Sequence, residues 1–179
     1  MQRKTAKQEL MRECIFTALM LLMEKEDYDR ITITDIAKRA GVSRMAYYRM
    51  YRSKDDILTD HMRWVFDRIA DQVKEQKITT EKEFFICYYR EVQKNTVFLK
   101  NVVKAGLMEQ VWRIMKDYAD DFYMYRKEGK NPEGEDRYRV SFFVGGILLL
   151  TREWLESGMN ESVEEMASIS TRTADALLS

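Results

Sequence analysis

The sequence predicts an all-α fold of about nine helices: a three-helix unit of helix-turn-helix type, then a larger helical domain. Three observations predict it. One Pro and seven Gly in 179 residues leave few helix breakers, and there is almost none of the alternating Val/Thr pattern that makes strands. Apolar residues recur three and four apart through most of the chain, the spacing that lines one helix face. Thr32 with Asp35, and Ser53 with Asp56, stand at capping-box spacing ahead of such runs. With 45% hydrophobic and 34% charged residues, the composition is that of a folded protein and not a disordered one.

Leu10, Met11, Cys14, Ile15, Ala18, Leu19, Leu22 and Met23 give the first helix, over 5–26, a wide apolar face. The charged run 25–30 breaks that pattern and reads as a loop. Thr32 then caps a second helix over 33–40, which Gly41 ends because a left-handed residue costs little only at Gly. Ser43 caps a third over 44–52, and Ser53 a fourth that runs to about 77. Two short helices joined by a Gly turn make a helix-turn-helix. Further helices are expected from 79 through at least 92 and over 96–105, 108–125, 136–156 and 161–178. Residues 127–135, K-E-G-K-N-P-E-G-E, form the one Gly/Pro/charge cluster and read as an exposed, mobile loop.

Charge points to function. Lys and Arg balance Asp and Glu at 30 each over the whole chain, yet Lys38, Arg39, Arg44, Arg49, Arg52 and Lys54 follow one another with no acid between Ile36 and Lys54. Residues 1–58 carry 12 Lys and Arg against 9 Asp and Glu, and residues 59–179 carry 18 against 21. A basic end on an acidic body suits a module for a polyanion. In a helix-turn-helix the second helix enters the major groove with its N-terminal residues at base edges. That puts Arg44, Met45 and Ala46 at the reading end, with Tyr48 and Arg49 behind them. Arg44 has the geometry to chelate a guanine, while Met45 and Ala46 read by contact. Thr32, Ser43, Tyr48 and Lys54 are the expected phosphate contacts, Lys54 because it opens the fourth helix. Tyr47 and Tyr51 are expected to face inward. The plainer alternative is a solvated basic helix face.

Residues 5–58 resemble the DNA-binding domain of the TetR family of bacterial regulators. Ile15, Ala18, Tyr28, Thr32-Ile33, Ile36-Ala37, Ala40-Gly41-Val42-Ser43, Tyr48, Tyr51, Lys54 and Leu58 carry the resemblance. It implies a homodimer joined through its last two helices and transcriptional control, most often repression. Three positions depart from the family's habit: Asp27 for Gly, Met23 for Phe, and Ala46 for Thr or Ser. The last removes an expected hydroxyl contact. The segment 142–166 is similar to the branch that includes activators of dihydroxyacetone kinase operons. On this reading 1–58 bind a palindromic duplex operator, and 59–179 sense a ligand and dimerise. The expected protein is a cytoplasmic repressor released by a small-molecule effector; control by a protein partner is the alternative.

In the second domain Phe85, Tyr88, Tyr89, Trp112, Met115 and Phe122 are candidates to line a pocket for a small apolar or aromatic effector. Aromatics at helical spacing serve equally as plain core. The helix over 136–156 is apolar nearly all round between Val140 and Leu150, so it is expected to be buried on two sides. Val140, Phe143, Val144, Gly146, Ile147 and Trp154 are its candidate dimer contacts, with Gly145-Gly146 permitting close approach; the core helix of a monomer is the alternative. Asp117, Asp120 and Asp121 read as a solvated acidic face. His61 has no ligand-spaced partner and reads as a helix-surface or interface residue. Cys14 and Cys87 read as buried small hydrophobes in a reducing compartment. No metal, cofactor or catalytic constellation is expected. The N-terminus shows no signal-peptide core, and no apolar run reaches the ~20 residues of a membrane span.

Overall fold

The computed structural model describes residues 6–126 and 130–178. Among them it contains nine α-helices, one 3-10 turn and no strand. Helix α1 (Ala6–Met23), the 3-10 turn (Tyr28–Arg30), α2 (Ile33–Arg39) and α3 (Arg44–Tyr48) make an N-terminal head. Thr32 accepts a bond from the Asp35 N–H at 3.2 Å while the Asp35 carboxylate takes the Thr32 N–H at 3.0 Å, so the capping box forms as its spacing predicts. Gly41, at φ +68°, ends α2 by letting the Val42 N–H return to Ala37 O at 3.0 Å.

Helix α3 is five residues long, four fewer than its spacing predicts. Ser53 must be extended (φ −135°, ψ 171°) to cap α4, and Asp56 draws in the N–H groups of Arg52 and Ser53 at 2.8 and 3.1 Å. The cap of the next helix thus takes residues 49–52 out of this one. Helix α4 (Lys54–Glu75) has 22 residues, about 33 Å at ~1.5 Å per residue. Its Ile57 and Leu58 are buried with Ile15, Leu19, Ile36 and Tyr47 of the head. Farther along, Met62, Val65, Phe66, Ile69 and Val73 are buried in the same continuous cluster. A boundary between residues 58 and 59 therefore falls inside an unbroken helix.

The body comprises α5 (Glu81–Lys94), α6 (Thr96–Lys104), α7 (Met108–Arg126), α8 (Glu135–Glu156) and α9 (Val163–Leu178). Helix α5 lies against α9 and α4, and α7 against α8 and α4. Buried hydroxyls are paired between helices: Tyr89 Oη of α5 with Ser170 Oγ of α9 at 2.8 Å, and Tyr88 Oη of α5 with Thr151 Oγ1 of α8 at 2.9 Å. Glu91 is a buried carboxylate. Burial pushes its pKa up, but bonds from Lys94 (2.7 Å) and Gln72 (2.9 Å) outweigh that and hold it below its usual value. Of the 127–135 loop, residues 127–129 lie outside the described residues, and 130–134 are non-helical.

Three expectations about burial change. Cys14 is exposed; only Cys87 is buried. Helix α1 has room for one inward stripe, Ile15, Ala18, Leu19 and Met23, and Cys14 lies off it. On α8 the inward face is Val144, Ile147, Leu148, Thr151, Trp154 and Leu155. Val144, Ile147 and Trp154 are thus occupied by their own protomer and are not free to meet a second one. Trp154 packs edge-on to Tyr89 at 5.3 Å and donates its Nε1–H to Glu161 O. Val140 and Phe143 are half-buried, and Gly146 is exposed. The outward α8 face is instead Tyr138, Phe142 and Leu149, each more than 60% exposed. A Cβ at Gly145 or Gly146 would meet nothing within 4 Å, so among the described residues no helix closes on the two glycines.

Head and body also meet where α1 packs on α6. His61 of α4 stacks on Phe16 (centroids 3.7 Å apart, planes at 10°), meets Phe98 of α6 edge-on at 4.5 Å, and has Nε2 3.4 Å from Asn95 Oδ1. Burial disfavours the charged ring and drives its pKa down to about 4, against 6.5 for a free histidine. The unfolded chain therefore binds the proton more readily. The stability this site contributes is complete above pH 6.5 and is lost as pH falls toward 4, by about 3 kcal/mol in all. Melting curves between pH 7.5 and 4.5 are expected to converge for His61→Phe and wild type near neutrality and part in acid, with the variant less acid-sensitive. Parallel curves would contradict this.

Candidate nucleic-acid interface

Helix α3 is too short to hold its own direction, since isolated helices below ~12 residues are marginal. Its orientation comes from two tyrosines on its inner side. Tyr47 is fully buried and donates its hydroxyl to Ser53 O at 2.9 Å; Tyr51, also buried, donates to Asp60 at 2.9 Å. Burial, with nearby carboxylates, raises both phenol pKa values, so both remain neutral donors.

With those rings turned in, the helical period turns Arg44, Met45, Tyr48 and Arg49 out. All four are exposed, Met45 at 71% and Tyr48 at 50%. Among the described residues no ion pair engages Arg44 or Arg49. Lys38, Arg39 and Arg52 are exposed on the same head. Ala46 is half-buried, with its N–H given to Ser43 Oγ at 3.1 Å. Ser43 uses its oxygen as the cap, which leaves its hydroxyl hydrogen available as a donor.

Thr32 and Lys54 are employed differently from the expectation. Both the N–H and the hydroxyl of Thr32 donate to Asp35, so it presents a carboxylate and no spare donor. The Lys54 ammonium donates to the carbonyls of Tyr28 and Ile31, the latter at 3.2 Å, and lies 4.2 Å from the Tyr28 ring centroid. The Tyr28 hydroxyl in turn donates to Asp55 at 2.5 Å. Lys54 thus clasps the 3-10 turn to α4. Lys54→Met is expected to lower stability by about 1–3 kcal/mol, the cost of leaving buried acceptors unpaired. The salt dependence of DNA binding is expected to stay unchanged; a slope reduced by about one would restore the phosphate contact. Tyr28 belongs to the family pattern, but nothing in the sequence pairs it with Asp55, because the two lie 27 positions apart.

The six expected pocket residues do not converge. Only Tyr88 lines the void between α4, α5, α6, α7 and α8, whose walls include Met62, Phe66, Leu99, Val111 and Leu148. Phe85 packs on Tyr89 and Phe143, Phe122 stacks on Phe84, Met115 is buried, and Trp112 is 40% exposed. The void holds about 30 Å³, room for one or two waters. Among the described residues no group of three or more His, Cys, Asp or Glu is placed to hold a metal. No described helix is long and apolar enough to cross a membrane.

A short capped helix with a basic outer face, carried on a long helix into an all-helical body, is the architecture of a helix-turn-helix regulator. Residues 15–60 match the model for bacterial regulatory proteins of the TetR family, and residues 79–176 match that for a transcriptional regulator C-terminal region. The chain belongs to the TetR family: it is a DNA-binding transcriptional regulator. Lin0861 from Listeria innocua shares its fold at a TM-score of 0.84 and 16% identity, over 99% of this chain and 96% of that one. The dihydroxyacetone kinase operon activator DhaS does so at 0.59 and 16%, over 93% and 95%, in keeping with the likeness of segment 142–166. The regulator AlkX of Mycobacterium tuberculosis is 29% identical over 68 residues, 38% of this chain but only 32% of AlkX.

Proposed function

We propose that this regulator is a homodimeric cytoplasmic repressor that holds a palindromic operator with two α3 faces and releases it when a small apolar or aromatic effector enters the body. The outward face of α3 carries the reading: Arg44, Met45, Tyr48 and Arg49 stand free while Tyr47 and Tyr51 fix them from behind. In this assignment Arg44 and Arg49 address base edges, Met45 and the rim residue Ala46 make apolar contact, and Ser43 and Tyr48 bond phosphates. Residues up to about 58 serve the DNA, the rest serve sensing and pairing, and α4 belongs to both. The outer α8 stripe of Tyr138, Phe142 and Leu149, with the two glycines between, suits the same stripe of a second copy about a two-fold axis.

Selection of bound duplexes from a random pool tests the reading. An inverted repeat is expected, with half-site centres separated by a whole number of helical turns of ~34 Å. An asymmetric single site, or no enriched sequence, would overturn it. One observation supports a second reading, control by a protein partner: the interior void is about 30 Å³, against the roughly 300 Å³ at which ligand pockets begin. Native mass spectrometry of the protein purified from its own cells separates the two, by a bound small molecule or a co-purifying chain.

A further inference from the structure

Asp60 does not belong to the DNA-facing surface. It lies in the second turn of α4, yet its carboxylate takes two bonds from the head: one from Arg12 of α1, and one at 2.9 Å from the hydroxyl of Tyr51, just beyond α3. The Arg12 guanidinium also lies 5.3 Å from the centroid of the Tyr51 ring. One carboxylate therefore holds α1, α4 and the end of the reading segment together. Among the described residues the other side-chain anchor on the inner side of α3 is Tyr47 on Ser53 O, which fixes the helix at one point. Two points are needed to define its tilt, and Asp60 supplies the second.

Asp60 and the next residue, His61, are gripped from different elements. Arg12 and Phe16, one turn apart on α1, engage Asp60 and His61 respectively, and Phe98 of α6 holds His61 from the body. We propose that Asp60 is a positioning residue for sequence discrimination: through Tyr51 it sets the tilt of α3, so that the Arg44 face meets base edges and not only phosphates. The inference rests on the assignment of α3 as the reading helix. A tilted α3 still carries its charge to the duplex; it loses the aim that base contacts require.

The test compares two probes: the duplex that the wild-type protein enriches from a random pool, and the same duplex with its half-sites shuffled. Asp60→Asn keeps the shape and weakens the pairing with Arg12; Tyr51→Phe keeps the buried ring and removes only the hydroxyl. Each is expected to lower the preference for enriched over shuffled duplex about tenfold, equivalent to ~1.4 kcal/mol. Affinity for the shuffled duplex and the salt slope are expected to hold. The double variant is expected to lose little more than either single one, since both cut one network. A preference that survives in both variants overturns the proposal, whatever happens to their melting temperature, and so does an equal loss on both probes. Arg44→Ala serves as the control. If it too keeps the preference, the assignment of α3 falls; if it alone loses the preference, only the role of Asp60 falls.

Discussion

Arg44→Ala is expected to erase most of the preference for operator over random duplex while leaving non-specific binding nearly intact. One bidentate arginine–guanine contact is worth ~1–3 kcal/mol of discrimination, so two half-sites together lose roughly a hundredfold or more. The structure sharpens this expectation in two ways. Arg44 is exposed at the first position of α3, and among the described residues no ion pair engages it, so the substitution costs the fold almost nothing. Lys38, Arg39 and Arg52 stay exposed on the head, so the positive charge behind the salt dependence is expected to stay. Fluorescence anisotropy on both duplexes across a salt series reads the two quantities separately. An equal loss on both duplexes would make Arg44 a phosphate contact.

Leu149→Asp is the second large effect. Leu149 is 68% exposed in the protomer, so an aspartate there leaves the fold of one chain intact. Across a two-fold axis the same change puts two unpaired carboxylates into an apolar seam, where each loses several kcal/mol of hydration. The expected product is a folded monomer by sedimentation velocity, with operator affinity down by about 10²–10⁴ from lost bivalency. A Leu149→Asp protein that stays dimeric and binds normally would remove the outer α8 face from the interface.

The contrast between Leu149 and Val144 shows where sequence reading reached its limit. A helix apolar on every side announces that two partners cover it, and the run from Val140 to Leu150 does so. It does not say which side belongs to which partner. Val144, Ile147 and Trp154 turned out to face α8's own protomer, because neighbouring helices fix the rotation of α8 and no residue within it does. The same holds for the body's aromatics. Phe85 and Phe122 have the composition of a pocket, but Phe143 and Phe84 take them up as ring pairs, pairings decided by helices far apart in the chain. The head was legible because its signals are local. Thr32 with Asp35, Gly41 and Ser53 with Asp56 each specify a backbone event within a few residues of themselves. Even there, the true use of Thr32 and Lys54 depended on partners: Asp35 absorbs one, and carbonyls 23 and 26 residues upstream absorb the other.

The nearly filled space beside Tyr88 and Thr151 has a consequence for dose. On the effector reading proposed above, about 30 Å³ is too little for a guest to enter that space at rest, so it would have to capture a rarer, opened form. Apparent affinity then falls in proportion to how seldom that form occurs, so an opening present one time in about a hundred weakens it roughly a hundredfold. Tight packing thereby acts as a threshold. In a regulator controlled in the proposed way, traces of an effector would pass unnoticed and only its accumulation would release the operator.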